Sequence, residues 1–168
     1  MSHFRENNFD IHPHDETVKD KKKKKKKNSK SDWTWKDQVE LVKWQDHMID
    51  NSLMRLDFPE LNKVALECFA CIMRFMGDMP LMKNQMDVEC ALMVLSYCYK
   101  HEEMKDEVYC QIMKQLTANR NSHSEQRGWD LLWLATGLFP CSKNLMKDLT
   151  LFQKTHKVRA VVCQDLTN

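Results

Sequence analysis

The chain has 168 residues, 42% hydrophobic and 30% charged, with a net charge of +2. That is enough for one domain with a real core plus tails. Three glycines and four prolines are too few for a turn-rich β-sandwich, no run of 18 apolar residues offers a membrane span, and MSHFRENNFD at the start lacks the apolar core of a signal peptide. Seven cysteines, an odd number set mostly within apolar runs with no secretion signal before them, read as reduced thiols of a cytosolic protein.

Residues 1–31 read as a disordered basic arm. Residues 19–30 hold nine lysines against Asp20, a charge of +8, and residues 1–18 set Arg5 against four acids, a charge of −3. Residues 31–168 therefore carry −3, so the basic character belongs to the arm alone. Like charges in a block repel, and the arm has too little apolar surface to offset the entropy of ordering. The run Lys21 to Lys27 suits a polyanion such as an acidic tubulin tail, an anionic lipid or RNA, a nuclear localisation signal, or a solvated linker. No aromatic residues interleave with it to stack bases, so nucleic acid is a poor match.

From Ser31 the pattern turns helical. Ser31 or Asp32 can cap a first helix carrying Trp35, Val39, Val42 and Met48 or Ile49, with Trp33 and Trp44 close by. A second begins after Pro59 and runs through Leu61, Val64, Ala65, Cys68, Phe69, Ile72 and Phe75 to Gly77. A third spans about Asp87 to Lys100, with Val88, Ala91, Leu92, Leu95 and Cys98 or Tyr99 facing inward. A fourth spans about Met104 to Ala118 with Val108, Ile112, Gln115 and Leu116 inward. A fifth follows Ser122 or Ser124, carries Trp129, Leu132, Trp133, Ala135 and Leu138, and stops before Pro140. A sixth starts near Ser142 with Leu145, Leu149 and Phe152. No segment sustains period-two alternation. The expectation is an all-α, compact bundle of about six helices over residues 32–155, with the lysine-rich arm before it and a C-terminal tail over 156–168.

Candidate chemistry is sparse. Cys68 and Cys71 form a CxxC, but no second CxxC or spaced histidine pair completes a zinc set, so the pair reads as core packing. Glu102, Glu103, Asp106 and Glu107 read as acids complementing a helix dipole. No phosphate loop, nucleophile elbow or metalloprotease string is present. No catalytic, cofactor or metal residues are nominated. Twelve methionines read mainly as core filling, with Met73, Met76, Met93 and Met113 inside apolar helices. Arg74, Asp78, Gln111, Gln115, Asn119 and Arg127 bracket apolar segments and read as a buried network tying helix ends together.

Three strings in this region, RFMGD from Arg74 to Asp78, DEVYCQIMKQLT from Asp106 to Thr117 and RGWDLLWLATGLF from Arg127 to Phe139, resemble the myosin tail homology 4 domain of unconventional myosin tails. With LNKVALECF at 61–69 they stand in that family's order and spacing over roughly Leu53 to Leu151. KHEEMKDEVYCQIMKQLT looks most like class XV myosins. The matching motif residues are Arg74, Gly77, Asp78, Tyr109, Gln111, Gln115, Gly128 and Trp129.

The resemblance implies a six-helix bundle without catalytic activity, usually placed before a FERM domain, that docks cargo or adaptor peptides. It also implies a cytoplasmic, cytoskeleton-associated protein and, as the alternative, a module that contacts the acidic tails of microtubules. Lys83, Lys100, Lys105, Lys114, Arg120 and Arg127 are the candidate partner-binding cations. Lys83, Arg120 and Arg127 are assigned to a rim formed by the loop after Gly77 and the loop from Asn119 to Arg127. No FERM sequence follows Phe152, which points to a fragment, a truncated isoform or a stand-alone module.

Overall fold

The computed structural model describes residues 41–165, with side chains to His156. The arm over 1–31 and the apolar positions Trp33, Trp35 and Val39 lie outside the described residues. Five helices and no strand occupy the described residues, in an all-α arrangement: α1 Pro59–Met76, α2 Asp87–Lys100, α3 Met104–Leu116, α4 Ser122–Leu138 and α5 Lys143–Asp165.

Local signals explain most helix ends. Pro59 stands in the first turn of α1, where a missing N–H costs nothing because that group has no helical partner. Gly77 ends α1 at φ 85°, and the N–H groups of Gly77 and Asp78 return to the carbonyls of Arg74 (3.2 Å) and Met73 (2.8 Å). A side chain at Gly77 would strain this left-handed turn. Asn121 caps α4, its Oδ1 accepting the N–H groups of His123 (3.1 Å) and Ser124 (3.2 Å). Ser122 and Ser124 are therefore inside the helix and not its cap.

α3 is the centre of the fold. Every residue from Glu107 to Leu116 is buried, with α1, α2 and α4 packed against the helix. Its apolar positions join Ala65, Cys68, Ile72, Met76, Val94, Leu131, Leu132 and Ala135 in one core cluster that Leu145 and Leu149 of α5 extend. Burial of this contiguous apolar surface is the main stabilising contribution.

The structure departs from five expectations. Val42, Met48 and Ile49 do not continue a helix: residues 42–58 run as bends and irregular chain across the bundle, with the amides of Gln45, Leu53 and Met54 bound by α3 side chains. On α2, Val88, Leu92 and Tyr99 face outward, at 57%, 60% and 90% exposure, and the buried set is Cys90, Ala91, Val94 and Cys98. On α4, Trp133 and Leu138 also face outward, while Leu131, Leu132 and Ala135 are buried. α2 and α4 lie at the edge of the bundle, so each buries only a narrow stripe, and apolar spacing alone does not say which stripe. Met73, Met76 and Met113 are core, but Met93 is partly exposed. α5 continues through Asp165, past the boundary placed at residue 155.

Candidate functional site

Four polar side chains on α3 form a buried stripe. Glu107, Gln111, Lys114 and Gln115 fall at helical offsets of 0, 4, 7 and 8, so they share one face. That face binds backbone. The N–H groups of Leu53 and Met54 donate to Glu107 Oε1 (2.8 Å) and Oε2 (2.7 Å). Gln111 Nε2 donates to Glu107 Oε1 (2.7 Å) and to the carbonyl of Ala65 on α1 (2.9 Å). Lys114 Nζ donates to the carbonyls of Leu41 (2.8 Å) and Lys43 (2.6 Å). Gln115 pairs with Gln45 in both directions, accepting its N–H at 3.2 Å and donating to its carbonyl at 3.0 Å. Trp44 N–H reaches the carbonyl of Thr117 at 2.9 Å. The stripe therefore holds residues 41–54 as a strap, and the strap satisfies polar groups that burial would otherwise penalise. Gln111 Oε1 remains buried without a partner. Burial raises the Glu107 carboxyl above its ordinary value, against the lowering effect of its three hydrogen bonds.

Lys114 is thus corrected as a surface cation: it is 4% exposed. Glu107 is not a solvated helix-start acid, and Asp106 accepts the N–H of Ser142 (2.7 Å), joining α3 to the start of α5.

The other motif residues also hold helices together. Asp78 Oδ2 accepts Trp44 Nε1 (3.0 Å) and Gln115 Nε2 (3.4 Å). Arg127 lies within α4, with its guanidinium 4.2 Å over the Phe75 ring, Nη2 2.5 Å from Asp87 Oδ2 and Nε donating to the Phe75 carbonyl. It ties three helices and is not an unengaged rim cation. Tyr109 donates its hydroxyl to the carbonyl of Phe139 (2.8 Å) and meets that ring edge-on, and burial pushes its pKa up to about 12. Gly128 lets α4 approach α3 and α1: a Cβ there would lie 2.8 Å from both Leu116 Cδ2 and Met76 Cε. Trp129 stacks on Phe152 of α5 at 5.7 Å. Arg74 gives its carbonyl to the Gly77 turn, but its Nε is buried without a partner.

The six nominated cations do not form one patch. Lys83 and Arg120 are exposed at the end of the bundle formed by the α1–α2 and α3–α4 loops. Lys100 is exposed at the opposite end of α2, about 20 Å away at 1.5 Å per residue. Lys105, beside it, is engaged by Glu102 at 2.5 Å. Cys68 and Cys71 are buried, and burial raises the Cys71 thiol to about 11, a poor setting for nucleophilic or redox chemistry. An open depression of about 470 Å³ between the end of α4 and α5 is lined by Leu138, Phe139, Pro140, Met146 and Leu149, without a charged side chain. A second, of about 340 Å³, includes Arg55, Asp57, Glu102, Glu103, Lys105 and Asp106. Among the described residues no helix is long and apolar enough to cross a membrane.

Residues 91–167 match the family model of the MyTH4 domain. The chain is similar to Myosin-VIIa of Drosophila melanogaster, 49% identical over 98 residues that make up 58% of this chain and 4% of that protein. It is similar to human Unconventional myosin-XV, 43% identical over 106 residues, 62% of this chain and 3% of that protein. In structure it resembles the human Myosin 7b C-terminal MyTH4-FERM domain, solved in complex with the harmonin-a PDZ3 domain, with a TM-score of 0.65 and 39% identity over 68% of this chain and 24% of that one. It also resembles the MyTH4-FERM MF2 domain of Dictyostelium discoideum Myosin VII, with a TM-score of 0.67 and 26% identity over 75% of this chain and 24% of that one. The chain thus spans a few per cent of the length of these curated relatives and about a quarter of the solved chains.

Proposed function

We propose that the helical unit, which matches the MyTH4 domain over residues 91–167 and is similar to unconventional myosins, is a non-catalytic module that docks cargo or adaptor segments and links them to the cytoskeleton in the cytoplasm. The observation that carries this reading is how the fold distributes its polar groups. Motif residues inside the bundle are engaged in holding helices and strap together, whereas Lys83 and Arg120 stand exposed at one end with no ion pair among the described residues. Exposed cations of this kind favour charge-assisted contacts with an acidic partner. In a longer product a FERM domain would be a further partner. The solved complex of the Myosin 7b MyTH4-FERM domain with a PDZ domain supports a protein ligand as the class.

The test is affinity selection with the full chain as bait, comparing wild type with the double variant Lys83→Glu, Arg120→Glu. Docking through this end predicts a set of proteins lost from the variant, with helicity unchanged by circular dichroism. An identical set with both baits would refute it. Arg127 is unsuitable for this purpose, because its replacement disturbs the fold.

Microtubule contact remains the second reading, favoured by exposed Lys100 and by the lysine arm. It is weakened by the burial of Lys114, the engagement of Lys105 and the charge of −3 on residues 31–168. Co-sedimentation with microtubules across a salt series, with Lys21 to Lys27 replaced by glutamine in one sample, separates the two contributions. Binding that survives the replacement would place a tubulin site on the bundle.

A further inference from the structure

The polar stripe of α3 grips main chain, and the main chain it grips belongs to a segment that precedes α1. Glu107 accepts the N–H groups of Leu53 and Met54, Lys114 donates to the carbonyls of Leu41 and Lys43, and Gln115 pairs with both backbone groups of Gln45. Asn62 of α1 adds an acceptor for the Ser52 N–H (2.8 Å), and Trp44 Nε1 donates to Asp78 (3.0 Å). Inside the strap the bonds are short-range: Gln45 Nε2 donates to the His47 carbonyl (2.7 Å) and Ser52 Oγ to the Met54 carbonyl (2.7 Å). The strap can therefore leave the bundle with these internal bonds intact. Residues 55–58 join it to α1, with Arg55, Asp57 and Phe58 exposed. Phe58 is extended at φ −115° and ψ 127°. Pro59 favours that form, because its ring disfavours helical backbone in the residue before it. The hinge is thus kept out of α1, and its exit is the same whether the strap lies on its own bundle or on another.

We propose that the α3 stripe accepts the strap of a second copy in place of its own, so that two chains exchange residues 41–54 and close into a two-fold dimer. The bonds between strap and bundle are re-formed across the pair. The two forms then differ only in the hinge, in the contacts beside it and in the entropy of association. A hinge of four residues extends to about 14 Å, so the two α1 starts must lie close together in the dimer. The depression beside the hinge carries Asp57, Glu102, Glu103 and Asp106 against Arg55 and Lys105. Two copies meeting there repel at low salt, and the repulsion fades as salt is raised. Within one chain the strap competes at an effective concentration on the order of 1 mM. Exchange therefore belongs to high local concentration, where chains are clustered. The exchanged pair presents two copies of each bundle surface, which strengthens binding to a clustered partner without any new contact. This inference does not depend on the docking function above.

The experiment uses the full chain with Leu53 replaced by its photo-reactive diazirine analogue, mixed with heavy-isotope-labelled wild type in about 0.5 M salt, incubated and irradiated. Leu53 packs against the core cluster and its N–H lies on Glu107, so the photoproduct marks the bundle on which the strap rests. Mass spectrometry of the digest separates the products, because a light–heavy pair arises only between two chains. The light–light product serves as the check that the analogue folds with its strap in place. At about 1 mM chain the expected result is a light–heavy product joining residue 53 to α1 or α3, with a share at least about tenfold smaller at about 10 µM. Light–light product alone at both concentrations would overturn the exchange, since the strap then stays on its own bundle. A dimer by sedimentation without the light–heavy product would overturn it as well and assign the pairing to another surface. No photoproduct of either kind would show the strap off the stripe and would count against the proposal.

Discussion

Glu107 offers the most demanding test of the strap. It is fully buried on α3, and its two oxygens accept three hydrogen bonds, from Leu53, Met54 and Gln111 at 2.7–2.8 Å. Glu107→Gln preserves shape but replaces one accepting oxygen with an amide nitrogen, so one of the three donors faces another donor. Leaving such a group unsatisfied costs about 1–3 kcal/mol. The cost should depend on pH. Burial is the largest influence on this carboxyl and raises its folded pKa above the ordinary 4.5. The native state therefore keeps the proton over a range in which the unfolded chain has lost it. The stability that Glu107 contributes is complete below the unfolded value and is lost as pH rises through the folded one. A protonated carboxyl still accepts through its hydroxyl oxygen, which an amide nitrogen does not, and glutamine does not titrate. Urea unfolding of wild type and variant across a pH series should thus show the gap widest in acid and narrowing towards neutrality. A gap that widens with pH would mean that the hydrogen bonds outweigh desolvation, and would refute this account.

Three other substitutions probe the helix contacts. Arg127→Met removes the bond to Asp87, the bond to the Phe75 carbonyl and the cation over the Phe75 ring, and should destabilise by about 1–3 kcal/mol in urea melts. An unchanged midpoint would show that these contacts contribute nothing net. Tyr109→Phe keeps the edge contact with Phe139 but strips its carbonyl of a donor, with an expected loss of about 1–2 kcal/mol and an unchanged denaturant slope. Gly128→Val forces atoms into the space held by Leu116 and Met76 and should lower stability by about 1–3 kcal/mol. A neutral result there would mean that α3 and α4 can separate without penalty.

Helix positions were legible where the sequence carries punctuation. Pro59 and Gly77 bound α1 and Pro140 follows α4, and these residues act through their own backbone chemistry, whatever packs around them, whereas the cap of α4 is Asn121 and not the Ser122 or Ser124 expected. Faces were less legible. Val88 and Leu92 have the spacing of a buried stripe, yet α2 buries Cys90, Val94 and Cys98 instead, because the stripe in contact is chosen by neighbours distant in sequence. The strap was invisible to periodicity for the same reason. Trp44, Gln45, Leu53 and Met54 are ordered by Gln115, Thr117 and Glu107, which lie 53 to 73 residues away. The four-residue polar stripe within DEVYCQIMKQLT was the signal that could have revealed it. Polar residues sharing a helical face, on a helix whose other faces are apolar, need backbone partners if that helix is central.

The burial of that stripe changes how binding data on this domain should be read. Lys114 looks like a surface group in the sequence, but like Gln115 it holds strap backbone. Replacing either one frees residues 41–45, whose Trp44 anchors on Asp78 at the base of the α1–α2 loop. Disturbance there would reach Lys83 and Met86 without any direct contact between Lys114 and a ligand. Loss of binding in a Lys114 variant therefore identifies a contact residue only if stability and strap protection are unchanged. The structural account predicts the opposite order: amide exchange should accelerate in residues 43–54 of Lys114→Met at denaturant concentrations that leave α1 and α3 protected. If protection falls everywhere together, the strap is no separate unit, and its contribution cannot be distinguished from global stability.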